Sequence, residues 1–178
     1  MPLSNQEAAA ASADFARFGG QNAPLMNAMP PIAAEPGREA VPTRAEFRVF
    51  RPIATRWMDN DHYGHVNNVV YYSYFDTAVN GWLLEATGTD IRELPAIGLV
   101  VETSCRYLAP ISFPDRLEVG LAIEKLGARS IVYRIGLFRE GGESAVALAR
   151  FVHVYVDRAS RRPVAVPDLI RRVAAALT

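Results

Sequence analysis

One long helical pattern stands among strands, with a short terminal helix expected after the proline-bounded RRPVAVP. Val69, Tyr72, Phe75, Val79 and Leu83 recur at three- and four-residue spacing, as the buried stripe of a helix requires. Asn67 or Asn68 can cap its start, because the side-chain oxygen accepts from the free amides of a first turn. Gly88 marks the expected end. Four strand patterns then follow in succession, at 98–110, 115–127, 129–140 and 143–157, punctuated by Pro110, Pro114, Gly127 and Gly141-Gly142. The run 145–156 is apolar on nearly both faces, which predicts a strand in the sheet interior. A further extended stretch, 46–57, precedes the helix, and Pro52 within it predicts an edge or a bend. The strands need one face covered, and the only long helix lies between the first and the second. The expected class is α+β, with an antiparallel sheet of about five strands wrapped around one long central helix. One sheet and one helix leave a sheet edge and a helix surface bare, so a homodimer or homotetramer is expected.

Residues 1–45 differ from the rest. They are rich in Ala, Pro, Gly and Asn, and PLMNAMPPIAAEPG breaks any helix. They are expected to form a flexible N-terminal extension to a single domain at 46–178. No basic segment leads into an apolar one, so no secretory leader is expected. No run of about 20 apolar residues predicts a membrane span. Lys+Arg and Asp+Glu balance at 19 each, so no whole-chain field attracts nucleic acid or an anionic membrane. The single cysteine, Cys105, rules out an intrachain disulfide framework and a cysteine-based zinc site. It reads as a small buried hydrophobe in a cytoplasmic protein. The three histidines have no ligand-like spacing, so neither a metal nor another cofactor is expected. No GxxxxGK[ST] or GxGxxG loop points to nucleotide hydrolysis or dinucleotide binding.

The densest polar stretch stands directly before the helix: Asp59, Asp61, His62, His65, Asn67 and Asn68. Such residues often do no more than satisfy loop amides. They also suit acyl-transfer chemistry. A carboxylate can act as general base or nucleophile. Free amides at a helix N-terminus can polarise a carbonyl, because the positive end of the helix dipole lies there. Gly64 permits a tight turn. His62 is expected to face solvent. His153, in an apolar strand, is expected to be a satisfied core or interface residue. Some of Tyr71, Tyr72, Tyr74 and Phe75 must pack under the sheet, and others could line a pocket.

The run DNDHYGHVNNVVYYSYFDTA, from Asp59, resembles the D-x-D-x-x-G-H-V-N-N-x-x-Y-x-x-Y-F-x-x-A signature of the 4-hydroxybenzoyl-CoA thioesterase-like acyl-CoA thioesterases. YLAPISFPDRLEV and ARFVHVYVDRASRRPVAVP resemble later parts of that family, and the likeness covers about residues 46–172. The resemblance implies the hotdog fold and hydrolysis of an acyl-CoA thioester. It assigns the catalytic carboxylate to Asp61, the second of the pair. Asp59 then orders the loop, with His65, Asn67 and Asn68 in supporting roles. Basic and hydroxyl residues opening the fourth strand meet CoA phosphates in that family, which implies Arg129 and Ser130, with Lys125 beside them. Acyl-ACP thioesterases share the first motif, so an acyl-ACP substrate is one alternative. A hotdog module that binds acyl groups without turnover is another. Hotdog dehydratases place acid and base differently, and this motif does not resemble theirs.

Overall fold

The computed structural model describes residues 40–178. The extension expected over 1–45 lies outside the described residues as far as position 39. Its last residues pack on the domain. The Ala145 amide donates to the Pro42 carbonyl at 2.9 Å, Thr43 bridges Ser144, and the Arg44 guanidinium meets Glu118 at 2.8 Å. The packed fold therefore reaches back to Pro42, ahead of the expected boundary.

Five strands form one sheet: β1 (Val49–Ala54), β2 (Ala96–Tyr107), β3 (Arg116–Leu126), β4 (Ser130–Arg139) and β5 (Ala147–Asp157). Their order is β1-β3-β4-β5-β2, and every neighbouring pair is antiparallel. Pro52 does sit on an edge strand, opposite Glu118 of β3, where its missing N–H breaks no second ladder. The other edge is β2, whose Leu99, Val100 and Val101 are exposed.

The long helix α1 (Asn68–Thr87) begins at Asn67, whose side chain accepts from the Val69 amide at 3.2 Å. It ends at Gly88, which adopts φ 60 and returns its N–H to the Leu84 and Glu85 carbonyls. A residue with a β-carbon would be strained at that angle. The buried face is Tyr71, Tyr74, Phe75, Ala78, Val79, Trp82 and Leu83. This corrects the expected stripe in part: Phe75, Val79 and Leu83 are buried, Tyr72 is half-buried, and Val69 is 63% exposed. Val69 lies in the first turn, and burial along α1 begins only at Tyr71.

Alternate residues of three strands share one buried core with α1. Leu117, Val119, Leu121 and Ile123 come from β3, Ile131, Tyr133, Ile135 and Leu137 from β4, and Ala147, Ala149, Phe151 and Tyr155 from β5. Each large side chain so buried stabilises the fold by about 1.5–3 kcal/mol relative to exposure. The short α2 (Asp168–Ala175) covers the far end of this core through Ile170 and Ala174. The opposite face of the sheet carries a smaller cluster of Phe47, Phe138 and Ala145. Phe47 lies over the paired Gly120 and Gly136, where an added Cβ would come within 2.9 and 2.5 Å of its ring.

His153 departs from expectation. It is buried in β5 against the rings of Tyr133 and Phe151, but its Nε2 has no hydrogen-bond partner among the described residues. Its apolar surroundings disfavour the charged ring and push its pKa down to about 4. Cys105 is half-buried in β2, and loss of solvent pushes its thiol up to about 11, which leaves it protonated and unreactive at neutral pH.

Candidate active site

The two aspartates before α1 have opposite environments. Asp59 is 1% exposed. Its carboxylate accepts from the Arg56 amide at 2.7 Å, from Arg56 Nε at 3.0 Å and from the Tyr74 hydroxyl at 2.6 Å. Burial alone would raise its pKa, but the bonds from Arg56 and Tyr74 outweigh that and hold it below the ordinary carboxylate value. An oxygen pair so fully engaged has no room for a substrate. Two of these three donors are side chains rather than loop amides.

Asp61 faces an open hollow of about 400 Å³, lined also by Trp57, Asn60, His62 and Gly64. Its Oδ1 accepts from the Tyr63 amide at 2.8 Å, an Asx turn that fixes the side chain. Its Oδ2 has no hydrogen-bond partner among the described residues. Gly64, at φ 84, returns its N–H to the Asp61 carbonyl at 3.1 Å, and the Asp61 amide donates to the His65 carbonyl at 2.8 Å. His65 therefore reaches Asp61 through its backbone. His62 is exposed, with its ring stacked near Tyr63.

Four further bonds hold this loop, one within it and three to its surroundings. The Asn67 amide donates to the Asp59 carbonyl and the Val66 amide to the Ile111 carbonyl, each at 2.8 Å. The Phe113 amide donates to Asn60 Oδ1 at 3.0 Å. The Tyr107 hydroxyl donates to the Asn68 carbonyl at 3.0 Å. Asn67 caps the helix, and the Val70 amide is taken by the Asn67 carbonyl. The Asn68 amide meets no acceptor among the described residues, so one donor at the positive end of α1 stays available.

The structure brings Asp59, Asp61, His65, Asn67 and Asn68 into one loop, but it separates them from Lys125, Arg129 and Ser130. Those three stand at the β3–β4 turn, where the Arg129 carbonyl accepts from the Tyr155 amide. Asp115, at the other end of β3, holds Thr55 beside the Asp61 loop. At about 3.3 Å per residue, the length of β3 sets the two groups on the order of 30 Å apart within one chain. Sequence reasoning missed two residues of the loop's frame, Tyr74 and Trp57. Tyr74 was read only as a packing or pocket residue. Trp57 was read only as the end of the extended stretch 46–57, whereas it opens the turn Trp57–Asp59.

Comparisons with known proteins identify the family and the fold. The family model described as the thioesterase-like superfamily matches residues 55–174. Among solved structures, the chain is similar to the PA5185 protein of Pseudomonas aeruginosa strain PAO1. The two are 53% identical over 78% of this chain and 97% of that one, with a TM-score of 0.76. Two more distant structures share the fold. One is BH1999, a gentisyl-coenzyme A thioesterase, at 22% identity over 71% of this chain and 99% of that one, with a TM-score of 0.63. The other is Slr0204, a 1,4-dihydroxy-2-naphthoyl-CoA thioesterase from Synechocystis, at 18% identity over 71% of this chain and 94% of that one, with a TM-score of 0.65. No curated protein matches the chain. Among the described residues, the strand order and the single long helix are those of a hotdog fold. Among the described residues, no helix is long and apolar enough to cross a membrane.

Proposed function

The chain belongs to the thioesterase-like superfamily, and from that premise we propose that it hydrolyses acyl-CoA thioesters to the free acid and CoA, with Asp61 as general base or nucleophile. The carrying observation is the contrast between the aspartates. Asp59 is buried and fully engaged, whereas Asp61 is pinned through one oxygen and lines an open hollow.

In this reading the thioester carbonyl lies in the hollow, with the Asn68 amide donating to its oxygen as charge develops there. The amide belongs to a fixed helix, so it needs no reorganisation during the reaction. Asp61 either takes a proton from the attacking water or attacks the carbonyl carbon itself. The C–S bond then breaks, the thiolate of CoA leaves, and water supplies the new carboxyl oxygen. Arg129 and Ser130, with Lys125, are assigned to the CoA phosphates. Their distance from Asp61 within one chain requires that a second copy present them, so a homodimer or homotetramer is part of the proposal.

A screen of short, long, branched and aromatic acyl-CoA esters, with acyl-ACP alongside, tests this reading. Turnover of CoA esters is expected. Binding of every ester without hydrolysis of any would overturn it in favour of a non-catalytic module.

A further inference from the structure

We propose that Trp57 is the wall against which the acyl group of the thioester packs, so that it selects which acyl groups are hydrolysed. This rests on the thioesterase reading above. Trp57 opens a short turn, Trp57–Asp59, that is pinned at its far end by the buried Asp59 and at its near end by Arg56, which bonds to the same carboxylate. With both ends held, the turn thrusts the indole outward, and it is 81% exposed. Phe113 meets it edge-on, with ring centroids 5.9 Å apart at 81°. Phe113 is itself tethered by its amide to Asn60. A large apolar side chain is thus both oriented and left uncovered.

Trp57 and Asp61 line the same hollow, and the other lining residues are Asn60, His62 and Gly64. Among the described residues, the indole is therefore the one large apolar surface within it. A carbonyl carbon placed for attack at Asp61 puts its acyl substituent in that hollow. The adenosine end of CoA lies the whole pantetheine arm away from the carbonyl. The pantetheine arm also adjoins the thioester, but it carries two polar amides and leads away toward the CoA phosphates, so the apolar face of Trp57 is assigned to the acyl chain or ring. Burying such a group on an indole gains from apolar area and from the ring face, and an acetyl group is too small to gain much.

The two tryptophans allow a direct test, since Trp57 is 81% exposed and Trp82 is 5% exposed. Acrylamide should quench Trp57 and spare Trp82. Hexanoyl-CoA added to the full-length Asp61→Asn protein should shield Trp57 from acrylamide, whereas free CoA should not. Equal shielding by both would overturn the acyl assignment. So would an indole already shielded without ester and unmasked by dilution, since a second copy would then be its cover.

In parallel, kcat/KM is measured with acetyl-, hexanoyl- and benzoyl-CoA. Trp57→Ala should lower the preference for the two larger esters over acetyl-CoA by about tenfold, and Trp57→Phe should restore most of it. If wild type hydrolyses the esters and Trp57→Ala keeps their ratios, the inference fails alone. If wild type hydrolyses neither these three nor any other ester of the wider screen, the thioesterase reading fails and takes the inference with it.

Discussion

The Tyr74 hydroxyl donates to Asp59 Oδ2 at 2.6 Å, joining the buried face of α1 to the loop that carries Asp61. Tyr74 is 4% exposed and Asp59 is 1% exposed, so neither has water as an alternative partner. Tyr74→Phe should cost about 1.5–3 kcal/mol, because it strips a donor from a buried carboxylate. The effect should depend on pH. The folded-state pKa of Asp59 lies below its ordinary value, so the stability from its ionised form is complete above the unfolded carboxyl pKa of about 4. It is lost as pH falls through the lower, folded value. Urea titrations at pH 7 and pH 3 should therefore show a larger wild-type advantage over Asp59→Asn at pH 7. An advantage that grows at pH 3 would contradict the assigned direction.

Much of this frame was legible in the residues. Periodicity located α1, and the turn residues located β2 to β5. Pro52 announced an edge or a bend, of which the structure has the edge, and Gly88 announced the end of the helix. What escaped was long-range. Val69 fitted the helical stripe, yet its turn lies outside the buried part of α1. Tyr74 looked like a packing residue because its partner stands fifteen positions away and depends on how the loop folds back. Arg129 and Asp61 were read as parts of one site, but the length of β3 parts them. Spacing along a chain cannot report which end of a strand a turn occupies in space.

Edge strand β2 should be an interface in solution. It pairs with β5 on one side only, and Val101, at its bulge, is 59% exposed beside the exposed Val100. A long apolar edge is a template for another strand. Val101→Lys should shift the protein toward monomer in sedimentation velocity and lower activity with it. Wild type that sediments as a monomer at micromolar concentration would remove the basis for this expectation.

Arg129 should act in binding. A phosphate contact far from the thioester is worth similar amounts before and during the reaction. Arg129→Ala should therefore raise KM for CoA esters several-fold and leave kcat nearly unchanged, with little effect on a truncated pantetheine thioester. If Arg129 serves the Asp61 of another copy, mixed oligomers provide a second readout. Co-assembled Asp61→Asn and Arg129→Ala chains should contain sites with both residues intact and recover low-KM turnover that neither variant shows alone. No recovery in verified mixed oligomers would place Arg129 outside the active site.

Asp61 should carry the chemistry, and the two carboxylates can be told apart by what each substitution damages. Asp61 is held through one oxygen by the Tyr63 amide and faces the hollow, so its fold contribution is local. Asp61→Asn keeps the shape and the acceptor oxygen but removes charge and basicity. Loss of a positioned base typically lowers the rate by about 10²–10⁴, and kcat should fall in that range with thermal stability near wild type. Asp59→Asn should show the reverse emphasis. It weakens the bonds from Arg56 and Tyr74, so the melting temperature should drop, and activity should suffer only as far as the loop loosens. If Asp61→Asn keeps most of its turnover while Asp59→Asn loses it at unchanged stability, the roles are exchanged. Single-turnover hydrolysis in oxygen-18 water then separates the two routes open to Asp61. Attack by the carboxylate forms a mixed anhydride, and water opening it at the aspartyl carbon leaves the label on Asp61. Direct attack by water places the label only in the released acid.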